Sequence, residues 1–162
     1  MSTKSLDLGC GPALKNPFGA DEAYGIDSRE DLDRNIYQAD LVIDPIPFPA
    51  EYFDYVTAYD FLEHIPRLIY APSRRFPFIE LMNEVYRVLK VGGKFFSHTP
   101  MFPHAAAFWD PTHVNFMTEQ TLLCYFVHNW AGGYGWRGHF SLESQEWVPP
   151  HLDVVLVKKE SL

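Results

Sequence analysis

Short apolar runs separated by turn residues punctuate the first hundred positions. The segments Lys4 to Leu8, Glu22 to Ile26, Tyr37 to Ile43, Phe53 to Ala58 and Lys94 to His98 each read as a strand. Between the last two the period changes. Phe78, Leu81, Met82, Val85, Val88 and Leu89 recur at i, i+3, i+4 spacing, the pattern of a helix with one apolar face laid on a sheet. Pro77 suits the first turn of that helix, where a backbone N–H would have no intrahelical partner, and Gly92-Gly93 supplies its stop. A second helical segment is predicted from Thr118 to about His128, followed by the glycine-rich stretch Ala131 to Gly138. Two further strands, Phe140 to Trp147 and Leu152 to Val157, are joined at Pro149-Pro150 and read as a hairpin, while the proline-rich Asp44 to Pro49 segment reads as a loop.

Strands alternating with helices and ending in a hairpin imply an α/β fold: a mostly parallel sheet with antiparallel pairing towards its C-terminal edge. Ligands of such sheets bind beyond the carboxyl ends of the strands. The 162 residues, 47% of them hydrophobic, suit one packed domain, and residues 1–162 show no repeat, low-complexity tract or interdomain linker. The longest apolar run, around Leu122 to Val127, is far short of the ~18 residues of a membrane span. Met1-Ser2-Thr3-Lys4 runs directly into a strand-like segment without a secretory pattern, so a cytoplasmic location is expected. Only Cys10 and Cys124 occur, outside any CxxC pair, which argues against a disulfide framework or a cysteine zinc site. The net charge of −8, with no basic cluster beyond Arg74-Arg75, disfavours a nucleic-acid substrate.

The first strand ends in Leu6-Asp7-Leu8-Gly9-Cys10-Gly11-Pro12. Two glycines in such a turn allow the backbone to approach a ligand that a Cβ would hold away, as in nucleotide-type cofactor loops. Asp7-Leu8-Gly9-Cys10-Gly11 resembles the opening of class I S-adenosylmethionine-dependent methyltransferases, which place an acidic residue two positions before a G-x-G. The resemblance continues through Tyr24-Gly25-Ile26-Asp27 to Ala39-Asp40-Leu41, then Ile46-Pro47-Phe48-Pro49 and Leu62-Glu63-His64-Ile65, and on to the helix ending near Gly92-Gly93, so it covers residues 5 to about 98. It implies a Rossmann-like, doubly wound sheet and S-adenosylmethionine as cofactor, with S-adenosylhomocysteine as product. Carried over by position, Asp7, Gly9, Cys10 and Gly11 approach the methionine part and Asp27 with Ser28 takes the ribose hydroxyls. Asp40 with Leu41 meets the adenine, with Asp44 as the alternative, and Tyr59 lines the methyl end. A carboxylate suits the ribose because it accepts two hydrogen bonds at once.

Two departures stand out: Ala13 occupies the place of a frequent third glycine, and the usual helix before the first strand is missing. With the short Pro12 to Ala23 connection, this leaves the cofactor less covered unless a second subunit of a homodimer, or the substrate, closes over it. A methyltransferase-like binding protein without activity is therefore the alternative reading. A nicotinamide-dependent oxidoreductase fits less well, because its fingerprint wants a glycine where Leu14 stands.

Methyl transfer from a sulfonium needs no covalent nucleophile, but an oxygen or carbon acceptor gains from a general base. His113 is the first candidate, in Asp110-Pro111-Thr112-His113 beyond the fifth strand, and His64 is the second. Cys10 lies within the cofactor loop and reads as a contact residue. His98, His104 and His113 with Asp110 offer metal-binding side chains, but their spacing fits no familiar motif and no metal is assigned. Tyr59-Asp60-Phe61-Leu62 stands where DNA amino-methylating relatives carry an Asn/Asp/Ser-Pro-Pro-aromatic motif, so a small-molecule acceptor is expected.

Overall fold

The computed structural model describes residues 2–160. Residues 1, 161 and 162, the ends of the expected 1–162 domain, lie outside the described residues. A seven-stranded sheet runs β3-β2-β1-β4-β5-β7-β6, built from β1 (Lys4–Leu8), β2 (Glu22–Asp27), β3 (Ile36–Gln38), β4 (Phe53–Tyr59), β5 (Leu89–Pro100), β6 (Phe140–Val148) and β7 (His151–Lys158). Pairing among β1 to β5 is parallel, while β7 lies antiparallel to both β5 and β6. The expected mixed Rossmann-like sheet is therefore present. Its strand order reverses direction between β1 and β4, the switch point at which such sheets bind ligands.

Alternation within the strands creates two unlike faces. Leu6, Leu8, Val56, Phe95, Val154 and Leu156 belong to the main core, together with the apolar stripe of α1 (Pro77–Val88): Phe78, Leu81, Met82, Val85 and Val88. Removing each such side chain from water contributes roughly 1.5–3 kcal/mol, which is why this helix lies flat on the sheet. The opposite face is covered by an irregular connection: Phe18 stacks on Tyr55 with centroids 4.5 Å apart and meets Phe96 edge-on at 6.4 Å, and Lys15 Nζ lies 4.6 Å from the centre of the Tyr59 ring. Among the described residues no α-helix occurs between β1 and β2, and only a short turn of helix, Leu32–Arg34, precedes β3.

Three elements differ from the sequence pattern. The predicted strand Tyr37 to Ile43 stops at Gln38, because Asp40 turns the chain: its Oδ1 accepts from the Val42 amide at 3.0 Å and its carbonyl accepts from Asp44 N at 2.7 Å. Helix α1 ends at Val88, ahead of Gly92-Gly93, since Leu89 adopts extended backbone and pairs with Phe53 as the start of β5. The second helical segment exists but is shorter and distorted. Thr118 caps α2 (Glu119–Leu122) in a reciprocal arrangement with Thr121, and a π-helical turn follows over Leu123–Val127. No helix among the described residues is long and apolar enough to cross a membrane.

Candidate functional site

The carboxyl ends of β1 to β4 surround a cavity of about 490 Å³, within the range of small-ligand sites. Gly9 follows β1, Asp27 closes β2, Asp40 and Leu41 follow β3, and Asp60 and Phe61 follow β4, all on its wall. Of the expected cofactor residues, Gly9, Asp27, Ser28, Asp40 and Leu41 are thus brought together. The loop is held to β2 at several points. Cys10 N donates to the Ile26 carbonyl at 3.1 Å and Gly11 N donates to Asp27 Oδ2 at 2.9 Å, leaving Oδ1 with only the longer bonds from Ser28 Oγ (3.2 Å) and Arg29 N (3.4 Å). Asp27 therefore shapes the glycine loop and also presents a carboxylate oxygen to the cavity.

Gly9 adopts φ +62°, a left-handed conformation that glycine reaches without a Cβ clash. A Cβ built there would fall 2.3 Å from Phe61 Cδ2. The missing side chain therefore makes room for the Phe61 ring, and not only for a ligand. Phe61, Ile65 and Val42 complete the apolar wall. None was singled out in the sequence, because their meeting depends on loops after different strands.

Asp7, Cys10, Gly11 and Tyr59 do not line this cavity in the structure. Asp7 is buried and already satisfied, with Oδ2 accepting from Lys15 N at 2.9 Å and Oδ1 from Thr57 Oγ1 at 2.8 Å, so it fixes the start of the connection after β1. Burial raises its carboxyl pKa against the opposing pull of those donors. Burial first, and then the Asp7 and Asp27 carboxylates, push the Cys10 thiol up to about 11, which leaves it a poor nucleophile. Tyr59 lies on the face of Lys15 and Phe96 and contacts the His98 ring at 5.5 Å.

Beside the first cavity lies a second, of about 270 Å³, and Asp60 and His64 line both. Glu63, His113, Asp110, Trp109 and His151 add to its walls. Glu63 is only 2% exposed and neither carboxylate oxygen has a hydrogen-bond partner. Burial, with smaller contributions from the Asp60 and Asp110 carboxylates, pushes its carboxyl up to about 8. Its backbone carbonyl accepts from Val114 N (2.8 Å) and Asn115 N (2.9 Å), which ties the segment after β4 to the one carrying His113. His113 Nε2 stands 4.0 Å from Glu63 Oε1, and the His64 and His113 rings meet edge to face at 4.9 Å. The two histidines singled out in the sequence thus share one wall. Glu63, which the sequence reading passed over, lies between them.

His98, His104, His113 and Asp110 do not converge. His104 instead caps a short helical turn by accepting from Ala106 N, and His98 joins Asp60 and His151. In that second group Asp60 Oδ1 bonds His151 Nε2 at 2.8 Å, Asp153 Oδ1 bonds His98 Nδ1 at 2.5 Å, and the two rings stack at 3.9 Å.

Comparison with known proteins places this geometry. The family described as "Methyltransferase domain" matches residues 2–129. No curated protein matches the sequence. An S-adenosylmethionine-dependent methyltransferase of Archaeoglobus fulgidus is similar in structure at TM-score 0.63 and 18% identity, over 97% of this chain and 86% of that one. One of Mesorhizobium loti is similar at 0.63 and 18%, over 97% and 91%. The [4+2]-cyclase SpnF is similar at 0.65 and 15%, over 98% and 75%. At these identities the structural likeness shows the fold, and the cyclase illustrates that the fold alone does not specify the reaction. The family match spans most of the sequence and the strand order agrees with it, so the chain belongs to the methyltransferase-domain family.

Proposed function

We propose that the protein binds S-adenosylmethionine in the cavity at the ends of β1 to β4 and transfers its methyl group to an acceptor held in the adjoining cavity. The observation that carries this reading is the convergence of Gly9, Asp27 and Asp40 on one cavity that shares Asp60 and His64 with the next. Asp27 with Ser28 takes the ribose hydroxyls, and Asp40 with Leu41 the adenine. The loop Gly9-Cys10-Gly11 receives the methionine part, while Asp7 holds that loop through Lys15 and Thr57. Tyr59, set outside the cavity wall against Lys15, flanks the methyl end. The residues present fit such a cofactor: carboxylates with accepting capacity left beside their local bonds, a left-handed glycine and an apolar wall of Leu41, Phe61 and Ile65.

The bound cofactor supplies an electrophilic methyl group. The protein's part is to align an acceptor with it and exclude water, which accounts for much of the rate in an in-line displacement. His113 and His64 stand on the acceptor side, where a proton leaving the acceptor would be taken. A small-molecule acceptor suits the modest volume of the second cavity and the net charge of −8. A buried, unpartnered carboxylate on the acceptor side favours an active protein over a binding protein without activity, since perturbed ionisable groups cluster at functional sites.

Isothermal calorimetry with S-adenosylmethionine, S-adenosylhomocysteine and NADH tests the assignment. Saturable binding of the two sulfur compounds without NADH is expected. Asp27→Ala should weaken that binding at least tenfold, because it removes both the ribose acceptor and the anchor of Gly11. Equal affinity for NADH, or an unchanged affinity in Asp27→Ala, would overturn it.

A further inference from the structure

We infer that Glu63, His64 and His113 form a binding site for a divalent metal ion of the zinc and cobalt(II) type, open to the second cavity. One nitrogen of each histidine and one Glu63 oxygen lie within 4.8 Å of one another. The outer hydrogen bonds decide which nitrogens these are. His113 Nδ1 lies 3.3 Å from the Ala107 carbonyl, which only accepts, so Nδ1 carries a hydrogen and Nε2 is the nitrogen left to meet a cation. Thr112 Oγ1 donates its single hydrogen to Asp110 Oδ1 at 2.7 Å, so the bond at 3.0 Å between Thr112 Oγ1 and His64 Nδ1 has the imidazole as donor. His64 Nε2 is then likewise the nitrogen turned away from these bonds. Both rings are held in the orientation that presents Nε2 to a cation, by the carbonyl and hydroxyl-carboxylate relays that orient metal-ligating histidines.

The third ligand is the buried Glu63 carboxylate, whose two oxygens have no hydrogen-bond donor. A metal binding here displaces the proton that buried Glu63 holds in the metal-free protein, and two imidazoles with one carboxylate suit zinc and its neighbours better than the hard ions magnesium or calcium. Three protein ligands leave at least one coordination position, and the cavity lined by Asp60, Trp109 and His151 lies on that open side. The neighbouring Asp60, His98 and His151 group differs, because its members already satisfy one another and Asp153. An ion at the first site would hold an oxygen of the acceptor beside the cofactor cavity. His64 and His113 would then serve as ligands in place of a general base. The site itself stands without the cofactor assignment.

The test is titration of the full chain, freed of metal by chelation, with zinc by calorimetry and with cobalt(II) by visible absorption, magnesium serving as the hard-ion control and no S-adenosylmethionine present. One equivalent of zinc and of cobalt(II) is expected to bind, with the intense visible bands of a four- or five-coordinate cobalt ion. Glu63→Gln and His113→Gln should each weaken zinc at least a hundredfold. Thr112→Val, which frees the His64 ring, should weaken it about 10- to 100-fold. His98→Asn should leave it within about threefold. Far-ultraviolet circular dichroism shows that each variant is folded, and Glu63→Gln keeps the size and shape of the side chain while removing its capacity to ionise. Absence of saturable binding in the wild type, or retention of it in Glu63→Gln, or its loss in His98→Asn, would overturn the inference. Because the cofactor is absent throughout, a failure here is separate from a failure to bind S-adenosylmethionine.

Discussion

Substituting Glu63 by glutamine should make the metal-free protein more stable, and increasingly so as the pH rises. The wild-type carboxyl, ordinarily at 4.5, is held at about 8 in the folded protein by burial. The folded state therefore binds this proton more tightly than the unfolded chain does. Its contribution to stability is fully present below about pH 4.5 and is lost as pH rises from there through 8. At about 1.36 kcal/mol per pH unit, the loss amounts to roughly 3 kcal/mol by pH 7 and about 5 kcal/mol above pH 8. The amide of Glu63→Gln does not titrate, so the stability difference between variant and wild type should grow by those amounts. The amide's own unpaired groups cost roughly 1–3 kcal/mol at every pH, so the slope is the quantity to read and the offset is not. All other titrating groups are common to the two proteins and cancel. Urea unfolding of both between pH 4.5 and 9, with a chelator present, gives the difference directly. At neutral pH it corresponds to a rise in Tm of about 6–12 °C relative to the acidic baseline. A difference that stays flat within about 1 kcal/mol across this range would show that Glu63 is not held protonated by burial.

Gly9→Ala should lower both stability and cofactor affinity. The left-handed backbone costs about 1–2 kcal/mol with a Cβ, and the Phe61 ring, which that Cβ would approach to 2.3 Å, must swing into the cavity. Thermal denaturation and calorimetry with S-adenosylhomocysteine would check the two effects, and unchanged affinity would place the ligand elsewhere. Met82→Ala removes a fully buried side chain from the face of α1 on the sheet and should cost about 2–5 kcal/mol in urea unfolding. Its cofactor affinity should remain unchanged, because the residue lies on the core side and away from the strand ends.

Much of the fold was legible in local pattern. The stripe Phe78, Leu81, Met82, Val85 and Val88 specifies a one-sided helix, and the strands before and after it follow from short apolar runs, since both periods are set by backbone geometry within a few residues. Gly9, Asp27 and Asp40 were picked out through the family resemblance of the segments that carry them, and parallel strands bring those segments to one edge. Where an element's limits depend on a partner, the pattern misled. Leu89 continues the helical spacing, yet pairing with Phe53 draws it into β5, and Tyr37 to Ile43 looks uniformly strand-like until Asp40 and Asp44 turn it.

The second cavity belongs to the tertiary structure. Thr112 and His64 are 48 positions apart, and bonds from Val114 and Asn115 to the Glu63 carbonyl and from Asn115 Nδ2 to the Leu62 carbonyl bring their segments together. Sequence alone marked His64 and His113 as chemically able. It could not show that Glu63 would lose its water and its hydrogen-bond partners, because burial is a property of everything packed around a residue and not of its neighbours in the chain. The amino-acid order thus determined the sheet and its covering helix through short-range periodicity and turn chemistry. The folded chain decided which side chains share a dry cavity, since desolvation and convergence arise only from contacts between distant segments.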